Sequence, residues 1–243
     1  MKSLQAMLRL LPWLALTAAG HANVATVAVA TNFKQPAEAL VRLFQSHTAS
    51  HEIRLVSGST GKLYTQITQG APFDVFLAAD TERPSLLERS GHAAAHSRRT
   101  YAVGQLALLG VADRPTAEQL SDQTLALANP SIAPYGLAAT QVLRHFNDAA
   151  AGTRKRILTE NVGQAYTLFA TGNVPLAFVA RSLLRPHDVA WLVPEHLHDP
   201  IRQQMILLKR GQDNPAAQAF YAFLQSSPAQ KAIRQFGYTV ETS

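Results

Sequence analysis

Residues 53–80, IRLVSGSTGKLYTQITQGAPFDVFLAAD, constrain the fold more than any other stretch of the chain. Ile53, Leu55 and Val56 form a short apolar run, Ser57-Gly58-Ser59-Thr60-Gly61 interrupts it, and Leu63 and Ile67 then recur at helical spacing. The pattern predicts a strand, a polar glycine loop, a helix over 62–69 and a buried strand over 73–80. A helix start leaves backbone N–H groups unpaired, with the positive end of the helix dipole behind them. An anion is stabilised there without any charged side chain. The hydroxyls of Ser59 and Thr60 supply two further donors. An ordinary helix cap built from the same residue types is the competing reading.

Two catalytic motifs are excluded at this loop. A phosphate-binding P-loop needs glycine five residues before Gly61 and Ser or Thr after Lys62, where the chain has Val56 and Leu63. A nucleophile elbow around Ser59 needs glycine at 57, where Ser57 stands.

The rest of the chain repeats the strand–loop–helix unit. Residues 23–30, NVATVAVA, read as a buried strand ended by Thr31-Asn32-Phe33, and a helix follows from Lys34 or Pro36 to Phe44. Another helix lies within 81–91, and 101–111, YAVGQLALLGV, is an apolar strand long enough to leave one domain and enter a second. A second set of units follows: strand 125–128, the turn-rich loop 129–136, helix 137–146, a helix from Asn161-Val162-Gly163-Gln164 to near Gly172, and strand 176–180. Residues 204–209 then cross back, and helices 215–224 and 228–236 close the chain. This alternation predicts α/β architecture with parallel sheets, in two lobes joined by two crossing strands. Lobe I takes 23–103 and 205–243, and lobe II takes 104–204. Ligands on such sheets bind beyond the carboxyl ends of the strands, where Thr31-Asn32 and Ser57 to Gly61 both fall. A two-lobed clamshell of this kind shuts around a small ligand by hinge motion.

Composition narrows the function. The 243 residues are 47% hydrophobic and 16% charged, ample for a core, and the absence of cysteine excludes a disulfide framework, a thiolate metal site and a cysteine nucleophile. The formal net charge of +6 comes from scattered cations, the densest being Arg98-Arg99 and Arg154-Lys155-Arg156, and these read as solvated faces, with no nucleic-acid footprint. Residues 1–22 combine sparse positive charge at Lys2 and Arg9, a short apolar run and a small-residue end at Gly20-His21-Ala22, the pattern of a secretory signal cleaved after Ala22. That run is too short to span a bilayer and contains Pro12. His196 and His198, flanked by Glu195 and Asp199, lack a third ligand at metal-site spacing and read as a solvated loop.

The segments AVATNF, SGSTGKLYTQI, GAPFDVFLAAD, NPSIAPYG, ENVGQAYTLFATGNVPLAFVA and SPAQKAIRQFGYTV, in this order over nearly all of 23–243, resemble the ModA family, the molybdate-binding proteins of bacterial ABC importers. The resemblance implies a type II periplasmic-binding-protein fold, a tetrahedral molybdate or tungstate dianion held in the interlobe cleft by neutral donors, no cofactor and no direct protein–metal bond. It also implies a periplasmic, monomeric, non-enzymatic protein whose partner is a membrane permease. Carried over by motif position, Thr31 or Asn32 is the polar residue after the first strand, and Ser59 or Thr60 the hydroxyl of the second loop. Tyr135 falls in the lobe II loop and Val162 at a backbone donor. Where many members have a tyrosine after the last lobe II strand, this chain has Ala180, and Tyr135 and Asn32 are the residues expected to make up that donor. The alternatives are another oxyanion such as sulfate, or a secreted hydrolase using Ser59 with a histidine.

Overall fold

The computed structural model describes residues 23–48, 50–146 and 156–240; the expected signal segment 1–22 lies outside them. Ten strands form two five-stranded sheets among the described residues. The first has the order β2-β1-β3-β10-β4, from β1 Asn23–Ala30, β2 His51–Gly58, β3 Val75–Leu77, β4 Arg99–Gly104 and β10 Ile201–Leu207. The second has the order β7-β6-β8-β5-β9, from β5 Leu106–Leu109, β6 Leu125–Ala128, β7 Arg156–Thr159, β8 Leu176–Ala180 and β9 Ala190–Leu192. The sheets are mixed rather than parallel. β1 runs parallel to β2 and β3 and β6 parallel to β7 and β8, but β10 is antiparallel to β3 and β4, and β5 antiparallel to β8 and β9.

Cover on both faces explains why the central strands β1 and β5 are mainly apolar. In β1, Ala25, Val27 and Val29 pack under α1 (Lys34–His47), α7 (Pro215–Phe223) and α8 (Ser227–Gln235), while Ala28 faces α2 (Thr60–Thr68) and α3 (Glu82–Arg89). Both faces are covered, so both favour apolar side chains. In the second sheet Leu106 and Leu108 face α5 (Pro134–His145), and Ala107 and Leu109 face α6 (Val162–Ala170).

The long apolar run 101–111 is two strands, β4 and β5, one in each sheet, broken at Gln105. The return strand begins at Ile201, three residues before the start expected from sequence, and 73–80 contributes only the three residues of β3. The sequence pattern did not place α4 (Ala117–Asp122), β7 or β9. The first is a single short helix whose Thr116/Gln119 capping box is its one local signal, and the other two are short outer strands.

Candidate functional site

Four strand ends meet between the sheets. β1 runs into a 3₁₀ turn, Thr31–Phe33; β2 runs into α2, with Ser59 as its extended N-cap; the segment after β6 leads to α5; and β7 leads to α6. A small cavity lies among these helix starts. Thr31, Asn32, Ser59, Thr60, Tyr135 and Val162 all line it, with Asn161 and small apolar residues completing the wall. No lining residue is charged, and none of the four helical segments has an acidic residue in its first turn.

The donors differ in how they are committed. Ser59 is 2% exposed, its side chain does not cap α2, and its Oγ has no hydrogen-bond partner in the protein. A buried hydroxyl left unpaired is costly, so this atom is the strongest sign of a ligand position. Among the described residues no histidine is hydrogen-bonded to it. Thr60 Oγ1 accepts from Ala79 N at 3.1 Å, which leaves its own O–H free to donate.

Asn32 is placed at the cavity but its amide is spent elsewhere. Nδ2 donates to Gln203 Oε1 at 2.9 Å and to Tyr238 Oη at 3.0 Å, which uses both hydrogens. What Asn32 offers an anion is its backbone N–H, near the start of the 3₁₀ turn where no intrahelical partner exists. Tyr135 is likewise held by Gln203. Its Oη accepts from Gln203 Nε2 at 3.2 Å, and a Cβ on Gly104 would stand 2.0 Å from that oxygen, so the hydroxyl lies against the crossing between sheets. Tyr135 is the second residue of α5 and again brings a helix-start N–H. The Asn161 side chain caps Gly163 N and Gln164 N at 3.0 and 3.1 Å and stops short of Val162, the first residue of α6. Ala180, the position where a tyrosine hydroxyl was the expected donor, is fully buried opposite Leu106.

The lobes touch around the cavity. Gly61 N donates to Ile132 O at 2.8 Å, Lys62 Nζ meets Glu160 Oε2 at 3.1 Å, Arg83 Nη2 donates to Ser131 O at 3.1 Å, and Ser182 Oγ donates to Asn32 O at 2.8 Å. Burial pushes the hydroxyls of Tyr101 and Tyr135 well above the ordinary tyrosine range and that of Tyr238 up to about 12. Burial also raises the Asp80 carboxyl, against the opposing pull of its partner Arg83. His198 is buried rather than solvated, with Nδ1 paired to Asp199 O at 2.7 Å, and no group of three metal-ligating side chains is assembled among the described residues.

Four residues that shape this region were not singled out by sequence: Gln203, Tyr238, Ser182 and Asn161. Gln203 had a readable signal. It occupies an inward position between Ile201 and Met205, all three buried, and a polar residue in that register demands partners.

Residues 25–239 match the family of bacterial extracellular solute-binding proteins. The molybdate-binding protein ModA of Rhodobacter capsulatus is 39% identical over 241 residues, covering 96% of this chain and 94% of that protein. ModA of Azotobacter vinelandii is 40% identical over 237 residues, covering 93% and 94%. The solved periplasmic molybdate-binding protein of Azotobacter vinelandii superposes with a TM-score of 0.81 at 33% identity, over 90% of this chain and 100% of that one.

Proposed function

The chain belongs to the ModA family of molybdate-binding proteins, and on that premise we propose that it captures molybdate, and tungstate with it, in the cavity between the sheets. It then delivers the anion to the permease of an ABC importer, working outside the cytoplasm as a monomer. The observation that carries the ligand assignment is Ser59 Oγ, buried and unpaired in a cavity without charge. A dianion there accepts from the Ser59 and Thr60 hydroxyls and from backbone N–H groups near Asn32, Tyr135 and Val162. Each helix start adds roughly half a positive charge.

Selectivity follows from proton count and size. A dianion with no hydrogen meets only donors, whereas hydrogen phosphate brings a proton that needs an acceptor, and leaving it unpaired costs about 1–3 kcal/mol. Sulfate carries the same charge and shape as molybdate, so only cavity size separates the two. Thermal melts of the purified protein with molybdate, tungstate, sulfate and phosphate test this directly, because ligand binding appears as stability. Large shifts with the first two alone are expected. Equal shifts with sulfate, or none with molybdate, would overturn the assignment.

A further inference from the structure

Gln203 is a wholly buried amide on β10 to which oxyanion binding alone gives no role. Its Oε1 accepts from Asn32 Nδ2 at 2.9 Å and from Tyr101 Oη at 3.0 Å, and its Nε2 donates to Tyr135 Oη at 3.2 Å. Asn32 follows β1 of the first sheet and Tyr135 opens α5 on the second, so one side chain holds a residue from each wall of the cavity. It does so at the crossing between the sheets. A Cβ on Gly104, the last residue of β4, would stand 2.0 Å from Tyr135 Oη and 2.7 Å from Gln203 Nε2. The register of β10 against β4 also shifts between Gln203 and Gln204.

We propose that Gln203 is a positioning residue for oxyanion binding: it fixes Asn32 and Tyr135 together and so couples closure of the two lobes to assembly of the site. The inference rests on the oxyanion reading above. The position calls for an oxygen that takes two donors and a group that gives one hydrogen, which an amide supplies without charge. The titratable groups around it are the tyrosines Tyr101, Tyr135 and Tyr238, with Asp80 acting on Tyr101 through space. An ionised carboxylate there loses the donor to Tyr135 and buries an unpaired charge, but a protonated carboxyl again offers an acceptor and a donor.

The experiment uses Gln203→Glu and Gln203→Met, titrated with molybdate by calorimetry across about pH 5 to 9, with melts run without anion at each pH. Wild-type affinity is expected to stay flat. Gln203→Met should bind at least about tenfold more weakly throughout, and Gln203→Glu equally weakly at the alkaline end, recovering to within about threefold of wild type at the acid end. A purely structural role would lower the melts without restoring affinity on protonation. Either variant binding within about threefold of wild type at the alkaline end, or a Gln203→Glu deficit that does not change with pH, overturns the inference. If Gln203→Met does not melt cooperatively, Gln203→Glu at the acid end, neutral and isosteric, decides between the two outcomes by itself. Failure of the wild type to bind molybdate strikes the oxyanion reading itself, a distinguishable result.

Discussion

Replacing Ser59 with alanine should move affinity and stability in opposite directions. The Oγ is buried and makes no hydrogen bond within the protein, so its removal breaks nothing in the fold. It does not cap α2 either, so the helix start is left as it was. Without the anion, stability should be unchanged or rise by up to about 1 kcal/mol, because an unpaired buried hydroxyl is itself a penalty. With the anion, a hydrogen bond to a charged group is lost, about 1.5–3 kcal/mol, or about 10- to 150-fold in Kd. Calorimetric titration with molybdate gives the affinity, and denaturant melts without anion give the stability. A Ser59→Ala protein that binds like wild type would show that the hydroxyl is not a ligand. One that loses more than about 1 kcal/mol of anion-free stability would show that it is structural.

Gly61→Ala should also separate binding from folding. The added Cβ would lie 2.9 Å from Ile132 Cα and 3.0 Å from Ile132 O, backbone that cannot yield, and would wedge the lobes apart where Gly61 N donates to Ile132 O. Affinity measured by titration should fall at least about tenfold, while the melt without anion holds or rises, since alanine favours the helix by up to about 1 kcal/mol. For pH, no lining residue of the cavity ionises in the neutral range, so Kd should be level between about pH 6 and 9. Stability behaves differently at high pH. The folded state holds the protons of Tyr101, Tyr135 and Tyr238 above the usual value of 10.0, with Tyr238 at about 12, whereas unfolded tyrosines release theirs near 10.0. The stabilisation is complete below 10.0 and is lost as pH climbs toward about 12, which an alkaline unfolding curve should show.

The sequence made legible what repeats locally. The valine and alanine run of β1 needs cover on both faces, and the Ser/Thr/Gly loop at 57–61 announces a helix start, so both the α/β units and their polar ends could be read from neighbours in the chain. Side-chain destinations could not. Asn32 and Tyr135 announce polarity but not partners, and those partners are Gln203 and Tyr238, from 68 to 206 residues away. Arg202, Gln203 and Gln204 form a polar run, and the return strand, expected from Gln204, begins at Ile201. The alternation of Gln203 with Ile201 and Met205 was the better guide.

Charge is distributed so that the rim is ionic and the floor is not. Lys62 and Glu160 pair across the cleft at 3.1 Å with side chains 52% and 36% exposed, while the cavity below has no charged wall. An exposed pair of this kind contributes no more than about 1 kcal/mol and is screened by salt, so Lys62→Ala should weaken binding by less than about fivefold. The formal charge is +6, and two of the cations, Lys2 and Arg9, precede the described residues, leaving +4 on the remainder. On the proposed oxyanion reading, that field would draw an anion toward the cleft from a distance, where it would meet fixed neutral donors out of reach of mobile ions. Stopped-flow measurements should therefore show an association rate constant that falls as salt is raised and a dissociation rate constant that barely moves. If dissociation quickened with salt as steeply as association slowed, or if Lys62→Ala cost more than Ser59→Ala, a paired charge would be holding the anion and the neutral-donor account would be wrong.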